Sequence, residues 1–203
     1  MTNELGANIP VALPNITETD VQLVADAVRS GWVSNGPMVE RFENEFCSAV
    51  GANYAIAVNS GTAALHVALA ALDIGPGDEV IVPSLTFIST ANVVLYLGAK
   101  PVLVECDPET FNVTPEIISA AITPNTKAVI PVEMNGIPLD YAPLIQLCEE
   151  QNISLVADSA ESLGSEFRGT RVGSQAGVHC FTFFPNKSIT TGEGGMVTCS
   201  DAS

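Results

Sequence analysis

Lys187 is the side chain of this sequence best placed for covalent chemistry. It closes the run Cys180-Phe-Thr-Phe-Phe-Pro-Asn-Lys187, in which an apolar strand stops at Pro185-Asn186. The polar, glycine-rich segment Ser188-Ile-Thr-Thr-Gly-Glu-Gly-Gly195 follows at once. The chain has three lysines, so each can be weighed. Lys100 and Lys127 follow turn residues and lead into apolar strands, which reads as ordinary solvated side chains at strand entries. Lys187 stands instead at a strand exit, between aromatics and glycines. A neutral amine in that setting can form a Schiff base with an aldehyde cofactor. A lysine on a solvated loop is the commoner case, so neighbouring residues must decide.

Ligands of open parallel sheets sit outside the carboxyl ends of the strands. A site built on Lys187 therefore has to draw its other groups from other strand exits. One exit is Asn59-Ser60-Gly61-Thr62-Ala63, where Gly61 allows a tight turn. Free amides at the start of the following helix favour a phosphate, aided by the Ser60 and Thr62 hydroxyls. The plain reading of the same residues is a helix N-cap. A second exit, Pro83-Ser-Leu-Thr-Phe87-Ile-Ser-Thr, offers Phe87 as a stacking surface for a flat ring, although an aromatic there is more often core. A third, Val156-Ala157-Asp158-Ser159-Ala160-Glu161, ends an apolar strand on an acid, which is costly without a partner. That partner can be a protonated ring nitrogen or a helix N-terminus. The fourth exit is Thr182–Lys187 itself.

An anion cradle, an aromatic lid, an acid and an amine at one sheet edge are the parts a pyridoxal 5'-phosphate (PLP) site needs. The phosphate anchors the cofactor and Lys187 bonds its aldehyde. Asp158 keeps the pyridine nitrogen protonated, so that the ring can accept electrons from the substrate carbon. No GxGxxG fingerprint or Walker loop follows the first strand, which argues against a dinucleotide or nucleoside-triphosphate site.

These residues need a scaffold, and the chain has the composition for one. Its 203 residues suit one α/β domain, or one domain and a piece of another, with 47% apolar residues to fill the core. A net charge of -16 makes a nucleic-acid partner a poor fit, since such binding relies on Lys and Arg. Cysteines 47, 106, 148, 180 and 199 form no CxxC and no even framework. No metal site is expected, and buried thiols in a reducing compartment are. The N-terminus lacks the basic start and apolar stretch of a secretory signal, and no apolar segment approaches about 18 residues. The expectation is a cytoplasmic protein without a membrane partner.

Residues 1–16 read as an extended arm, and residues 17–203 as one large domain. Thr17-Glu-Thr-Asp20 opens a helix to about Ser30 with Val21, Val24, Ala25 and Val28 on one face, ended by Gly31. A second helix covers 38–50. Strands at 54–58, 79–83, 100–105, 128–132 and 154–157 then alternate with helices near 62–72, 88–97, 115–122 and 139–151. Strands at 178–184 and 195–199 complete the count at seven. Short apolar strands alternating with helices predict a mostly parallel sheet with helices on both faces.

At the level of motifs the sequence resembles the DegT/DnrJ/EryC1/StrS family. The resemblance rests on Asn59-Ser-Gly-Thr-Ala-Ala-Leu-His66, Pro83-Ser-Leu-Thr-Phe-Ile-Ser-Thr-Ala-Asn92, Phe183-Phe-Pro-Asn-Lys-Ser-Ile-Thr-Thr-Gly-Glu-Gly-Gly195 and Ser30-Gly-Trp-Val-Ser-Asn-Gly-Pro37. It implies the large domain of a fold type I PLP-dependent transferase, cut off after the seventh strand, with the C-terminal small domain missing. It also implies amino transfer, usually from L-glutamate, to a keto group of a nucleotide-linked deoxysugar by a homodimer. By motif, Lys187 and Asp158 would be catalytic. Ser60, Gly61, Thr62, Phe87, Asp158, Ala160, Glu161, Thr182, Asn186 and Lys187 would line the cofactor, with Thr182 standing where the family usually has Ser. Phe87 and Ala160 would flank the ring.

The stretch Val132-Glu-Met-Asn-Gly136 lacks the His-containing pattern common in the family, and Glu161 stands where many members carry His or Gln and some carry Glu. Two other readings remain at this level: a non-catalytic fragment that binds PLP or dimerises, and a sugar dehydratase. Relatives of the second kind replace the lysine with His.

Overall fold

The computed structural model describes residues 10 and 12–200. The rest of the expected arm, residues 1–9 and 11, and the last three residues lie outside the described residues. Residues 12–17 carry no regular secondary structure. The chain then runs α1 (Glu18–Ser30), α2 (Pro37–Val50), β1 (Tyr54–Val58), α3 (Gly61–Ala71), β2 (Glu79–Pro83), α4 (Ser89–Tyr96), β3 (Lys100–Val104) and α5 (Pro115–Ala121). It continues with β4 (Thr126–Val129), a 3-10 turn at Met134–Gly136, α6 (Tyr141–Gln151), β5 (Ser154–Asp158), β6 (Glu166–Phe167), β7 (Thr170–Arg171), β8 (Val178–Thr182) and β9 (Gly195–Cys199).

Seven strands form one sheet in the order β1-β9-β8-β5-β4-β2-β3. Only β9 is antiparallel to its neighbours β1 and β8; every other pairing is parallel. The exception has a local cause. The connection after β8 returns directly, with the Phe183 amide bonded to the Gly194 carbonyl and the Thr191 amide to the Phe183 carbonyl. It contains no crossover helix, so the returning strand must run the other way. Lys187 is carried by that connection.

Alternating side chains of the strands feed two layers. On one face, Ala64, Leu65, Ala68 and Leu69 of α3 and Val93 and Val94 of α4 pack with Val80, Val82, Val156 and Cys180. On the other, Ile118 of α5 and Leu144 and Cys148 of α6 pack with Ile81, Val129 and Ala157. Beside them Phe46 of α2 meets Phe181 and Phe183 edge-on, at centroid distances of 5.1 and 5.6 Å. Helices therefore cover both faces, as the strand pattern predicts. Burying aromatic rings of this kind contributes on the order of 2–3 kcal/mol each, which fixes the root of the Lys187 loop.

Some elements differ from expectation. The fourth strand begins at Thr126 and ends at Val129, because Pro131 has no amide to donate; the pairing resumes as a single bridge between Val132 and Asp158. The strand at 178 ends at Thr182, two residues early. The small hairpin β6–β7 is too short to leave a pattern in the sequence. Helix α1 opens after Thr17 as expected, through a capping box in which Thr17 and Asp20 bond reciprocally, yet its apolar face has no buried residue.

Candidate active site

The carboxyl ends of the parallel strands and the N-terminus of α3 meet around one cavity of about 340 Å³. All ten residues expected at a cofactor line it: Ser60, Gly61, Thr62, Phe87, Asp158, Ala160, Glu161, Thr182, Asn186 and Lys187. They come from four separate exits, those of β1, β2, β5 and β8.

The β1 exit forms the anion end. Ser60 is the N-cap of α3, its hydroxyl accepting from the Ala63 amide at 3.1 Å, while the Ala64 amide bonds to the Ser60 carbonyl. The Gly61 and Thr62 amides belong to the unpaired first turn of the helix, where partial positive charge collects. Thr62 Oγ1 lies 2.8 Å from Ser89 Oγ at the start of α4. Close packing makes this corner possible. A β-carbon on Gly61 would stand 2.7 Å from Thr182 Cβ, and one on Gly195 would collide with the Ser60 carbonyl. Gly61 thus seats the helix start directly against β8.

The β5 exit supplies a buried acid. Asp158 is 5% exposed, and its Oδ2 accepts from Thr90 Oγ1 at 2.8 Å while Oδ1 accepts from the Ala160 amide at 3.2 Å. Burial raises its pKa, and the Thr90 and Ala160 hydrogen bonds oppose that rise. None of the ion pairs among the described residues includes Asp158. The cavity floor therefore carries a carboxylate that can gain from a cationic N–H partner.

The β8 exit supplies the amine. Lys187 Nζ lies 3.5 Å from Glu161 Oε1, with the lysine side chain 20% exposed. Glu161 Oε2 in turn accepts from the Asn135 amide at 2.9 Å, so the turn after β4 steadies the acid that faces the lysine. Phe87 stands 75% exposed at the mouth, available as a surface rather than packed as core.

Sequence reasoning missed several lining residues, namely Leu65, Ser89, Cys180, Phe181, Phe184 and Glu193. It also missed Thr90, which holds Asp158 from 68 residues away. Thr90 and Ser89 lie in the quoted motif after β2, so a strand-to-helix hydroxyl pair was the available signal. A buried group of Glu133, Ser159, Ser162 and His179 lies beneath the β5 exit, and its members are too far apart in sequence to be recognised as neighbours. Among the described residues no cluster of His, Cys, Asp or Glu could hold a metal ion.

The comparisons with known proteins agree with this architecture. A GDP-perosamine synthase of Caulobacter vibrioides is 46% identical over 194 residues, covering 95% of this chain and 52% of the relative. The spore coat polysaccharide biosynthesis protein SpsC of Bacillus subtilis is 42% identical over 193 residues, covering 95% and 50%. A Streptococcus pneumoniae protein described as a sugar aminotransferase, solved in a PLP form, superposes with a TM-score of 0.92 at 38% identity, covering 96% of this chain and 54% of that one. The chain spans about half the length of the curated relatives it matches. The α/β sheet is that of the fold type I aminotransferases. The profile of the DegT/DnrJ/EryC1/StrS aminotransferase family matches residues 14–203, and the chain belongs to that family.

Proposed function

We propose that the protein transfers an amino group from an amino acid, L-glutamate first among them, to a keto group of a nucleotide-linked deoxysugar, using PLP. One observation carries this reading. The buried carboxylate of Asp158, which belongs to none of the ion pairs among the described residues, the Lys187 amine and the N-terminus of α3 occupy different walls of the same cavity. These are three chemically distinct demands, and PLP meets each of them with its ring nitrogen, aldehyde and phosphate. The fit of the phosphate end is supported by the Gly61–Thr182 approach, since a β-carbon at position 61 would fill the corner.

When bound, PLP supplies a protonated ring that accepts the electron pair left at the substrate carbon. The chain's own residues would do the rest. Ser60, Gly61, Thr62 and Thr182 would hold the phosphate through hydroxyls and first-turn amides, with Asn186 at the rim. Asp158 would hold the proton on the ring nitrogen, and Phe87 and Ala160 would bound the ring's two faces. Lys187 Nζ would bond the aldehyde carbon at rest, and once free it would move the proton between carbon atoms as general base and acid. Glu161 holds that amine at 3.5 Å, so its position is set before it acts.

The names of the relatives, a GDP-perosamine synthase and a polysaccharide biosynthesis protein, support a nucleotide-linked sugar as acceptor and a role in polysaccharide assembly. A homodimer is supported by exposed apolar side chains, Phe87 at the cavity mouth and Ile88, Leu95 and Tyr96 along α4 and its start, which would gain from burial against a second copy. We place the protein in the cytoplasm, a reducing compartment in which thiols such as Cys148 and Cys180 persist.

The test is to add PLP to the purified chain, record the absorption of the lysine–cofactor adduct, reduce with borohydride and map the peptides. A single stable adduct on Lys187 is the expected result. No adduct, or one spread over Lys100 and Lys127, would overturn the reading. Glutamate-dependent amination of a nucleotide-linked keto-sugar then tests the reaction itself.

A further inference from the structure

Directly beneath Asp158 lies a polar group that the proposed reaction does not use. Glu133 is fully buried, at the point where the chain leaves β4, and among the described residues it belongs to no ion pair. Its Oε2 accepts from Ser159 Oγ at 2.8 Å and from Ser162 Oγ at 2.5 Å. Its main-chain amide donates to the Asp158 carbonyl at 3.2 Å, and the Asp158 amide donates to the Pro131 carbonyl at 2.9 Å. The turn 158–162 is thus held by its backbone on one side and by two hydroxyls below.

The direction of these bonds can be worked out. His179, fully buried on β8, accepts the Ala176 amide at Nε2 at 3.0 Å. Its ring proton must then sit on Nδ1, which lies 2.9 Å from Ser159 Oγ. Ser159 receives that proton's hydrogen bond and has its own hydroxyl hydrogen free for Glu133. The order is therefore Ala176 amide to His179, His179 to Ser159, and Ser159 to Glu133. Ser162 joins at the same carboxylate oxygen.

A carboxylate buried without a cation costs stability even when hydrogen-bonded, and a leucine would fill much the same volume. What the carboxylate adds is direction. It draws in the side chains on either side of Ala160 and so sets the path of the segment carrying Asp158, Ala160 and Glu161. We propose that Glu133 is a positioning residue for Asp158, fixing through Ser159 and Ser162 the line along which the Asp158 carboxylate meets the cofactor's ring nitrogen. This rests on the reading of the cavity as a PLP site. A carboxylate-to-N–H bond needs a well-aligned approach near 2.8 Å, and its strength falls steeply with misalignment.

The test uses the full chain and two probes, PLP and its 1-deaza analogue, in which carbon replaces the ring nitrogen. Both carry a phosphate and an aldehyde, and the intrinsic differences between the two rings are common to all variants. The change in the ratio of their dissociation constants from one variant to another therefore reads the contact between Asp158 and the ring nitrogen. The native chain should prefer PLP by about tenfold or more, the worth of a charge-assisted hydrogen bond. Glu133→Leu should bring that ratio close to one while leaving the affinity for the deaza analogue within about threefold. Glu133→Gln, which keeps an acceptor oxygen, should retain most of the preference.

Ser159→Ala/Ser162→Ala should behave as Glu133→Leu does, and it carries the test if the leucine variant does not fold. A native ratio preserved in these variants overturns the proposal and leaves the PLP reading intact. A native chain that binds both probes equally, or neither, takes the role of Asp158 down and this proposal with it.

Discussion

Thr90 Oγ1 donates to Asp158 Oδ2 at 2.8 Å, joining the first turn of α4 to the end of β5 across the floor of the cavity. The same hydroxyl lies 3.0 Å from the Phe87 carbonyl and 2.8 Å from Thr86 Oγ1. It has one hydrogen to give, so Thr86 can donate to it while it serves the carboxylate. This bond opposes the effect of burial on Asp158 and favours the ionised form that a protonated ring nitrogen needs. Thr90→Val keeps the shape and removes the donor. We expect PLP affinity to fall roughly tenfold, with Thr90→Ser close to native. Titration of PLP absorbance against each variant measures this, and an unchanged affinity in Thr90→Val would remove Thr90 from the site.

Gly61→Ala should damage the phosphate end without unfolding the chain. The added carbon would stand 2.7 Å from Thr182 Cβ, and both atoms are attached directly to backbone. The start of α3 must therefore move away from β8, taking its first-turn amides with it. A loss of about tenfold in affinity for PLP is expected, with a stability cost of about 1–3 kcal/mol. Gly75→Ala, where nothing lies within 4 Å of the new carbon, is the control and should alter neither. Denaturant melts and cofactor titration of the two variants separate local displacement from general disruption.

The strand count, the order of elements and the four exits were readable because each depends on neighbours in sequence. An apolar run bounded by turn residues makes a strand, and the residue that ends it is necessarily at an exit. The contacts that give those exits their chemistry are a different matter. Thr90 and Asp158 are 68 residues apart, and Glu133 lies 26 and 29 residues from Ser159 and Ser162. No periodicity links such positions; only the pairing of β2 with β4 and of β4 with β5 brings them together. The same holds for β4, whose early end depends on Pro131 meeting its partner strand. Glu133, set aside in the sequence as a departure from a motif, proves to be a fully buried acid under the site.

Stability against pH should report the buried network directly. Burial pushes the His179 imidazole down to about 3, whereas the unfolded residue titrates near about 6.5. Between those values the unfolded chain takes up a proton that the folded chain refuses. The contribution of His179 is therefore complete above about pH 6.5 and is lost as the pH falls toward about 3. A shift of this size corresponds to ~5 kcal/mol at its limit.

Asp158 and Glu133 work in the opposite sense. Burial raises both, so the folded chain keeps their protons above the pH at which the unfolded chain releases them. Their contribution is complete below the unfolded values near about 4 and is lost as the pH rises through the folded ones. In urea unfolding of the PLP-free chain from about pH 4 to about pH 7, His179 contributes a rise in stability that the two acids oppose. His179→Gln should flatten or reverse that rise, and Asp158→Asn should steepen it. A His179→Gln profile parallel to the native one would mean that the imidazole is not held neutral by the Ala176 amide and Ser159.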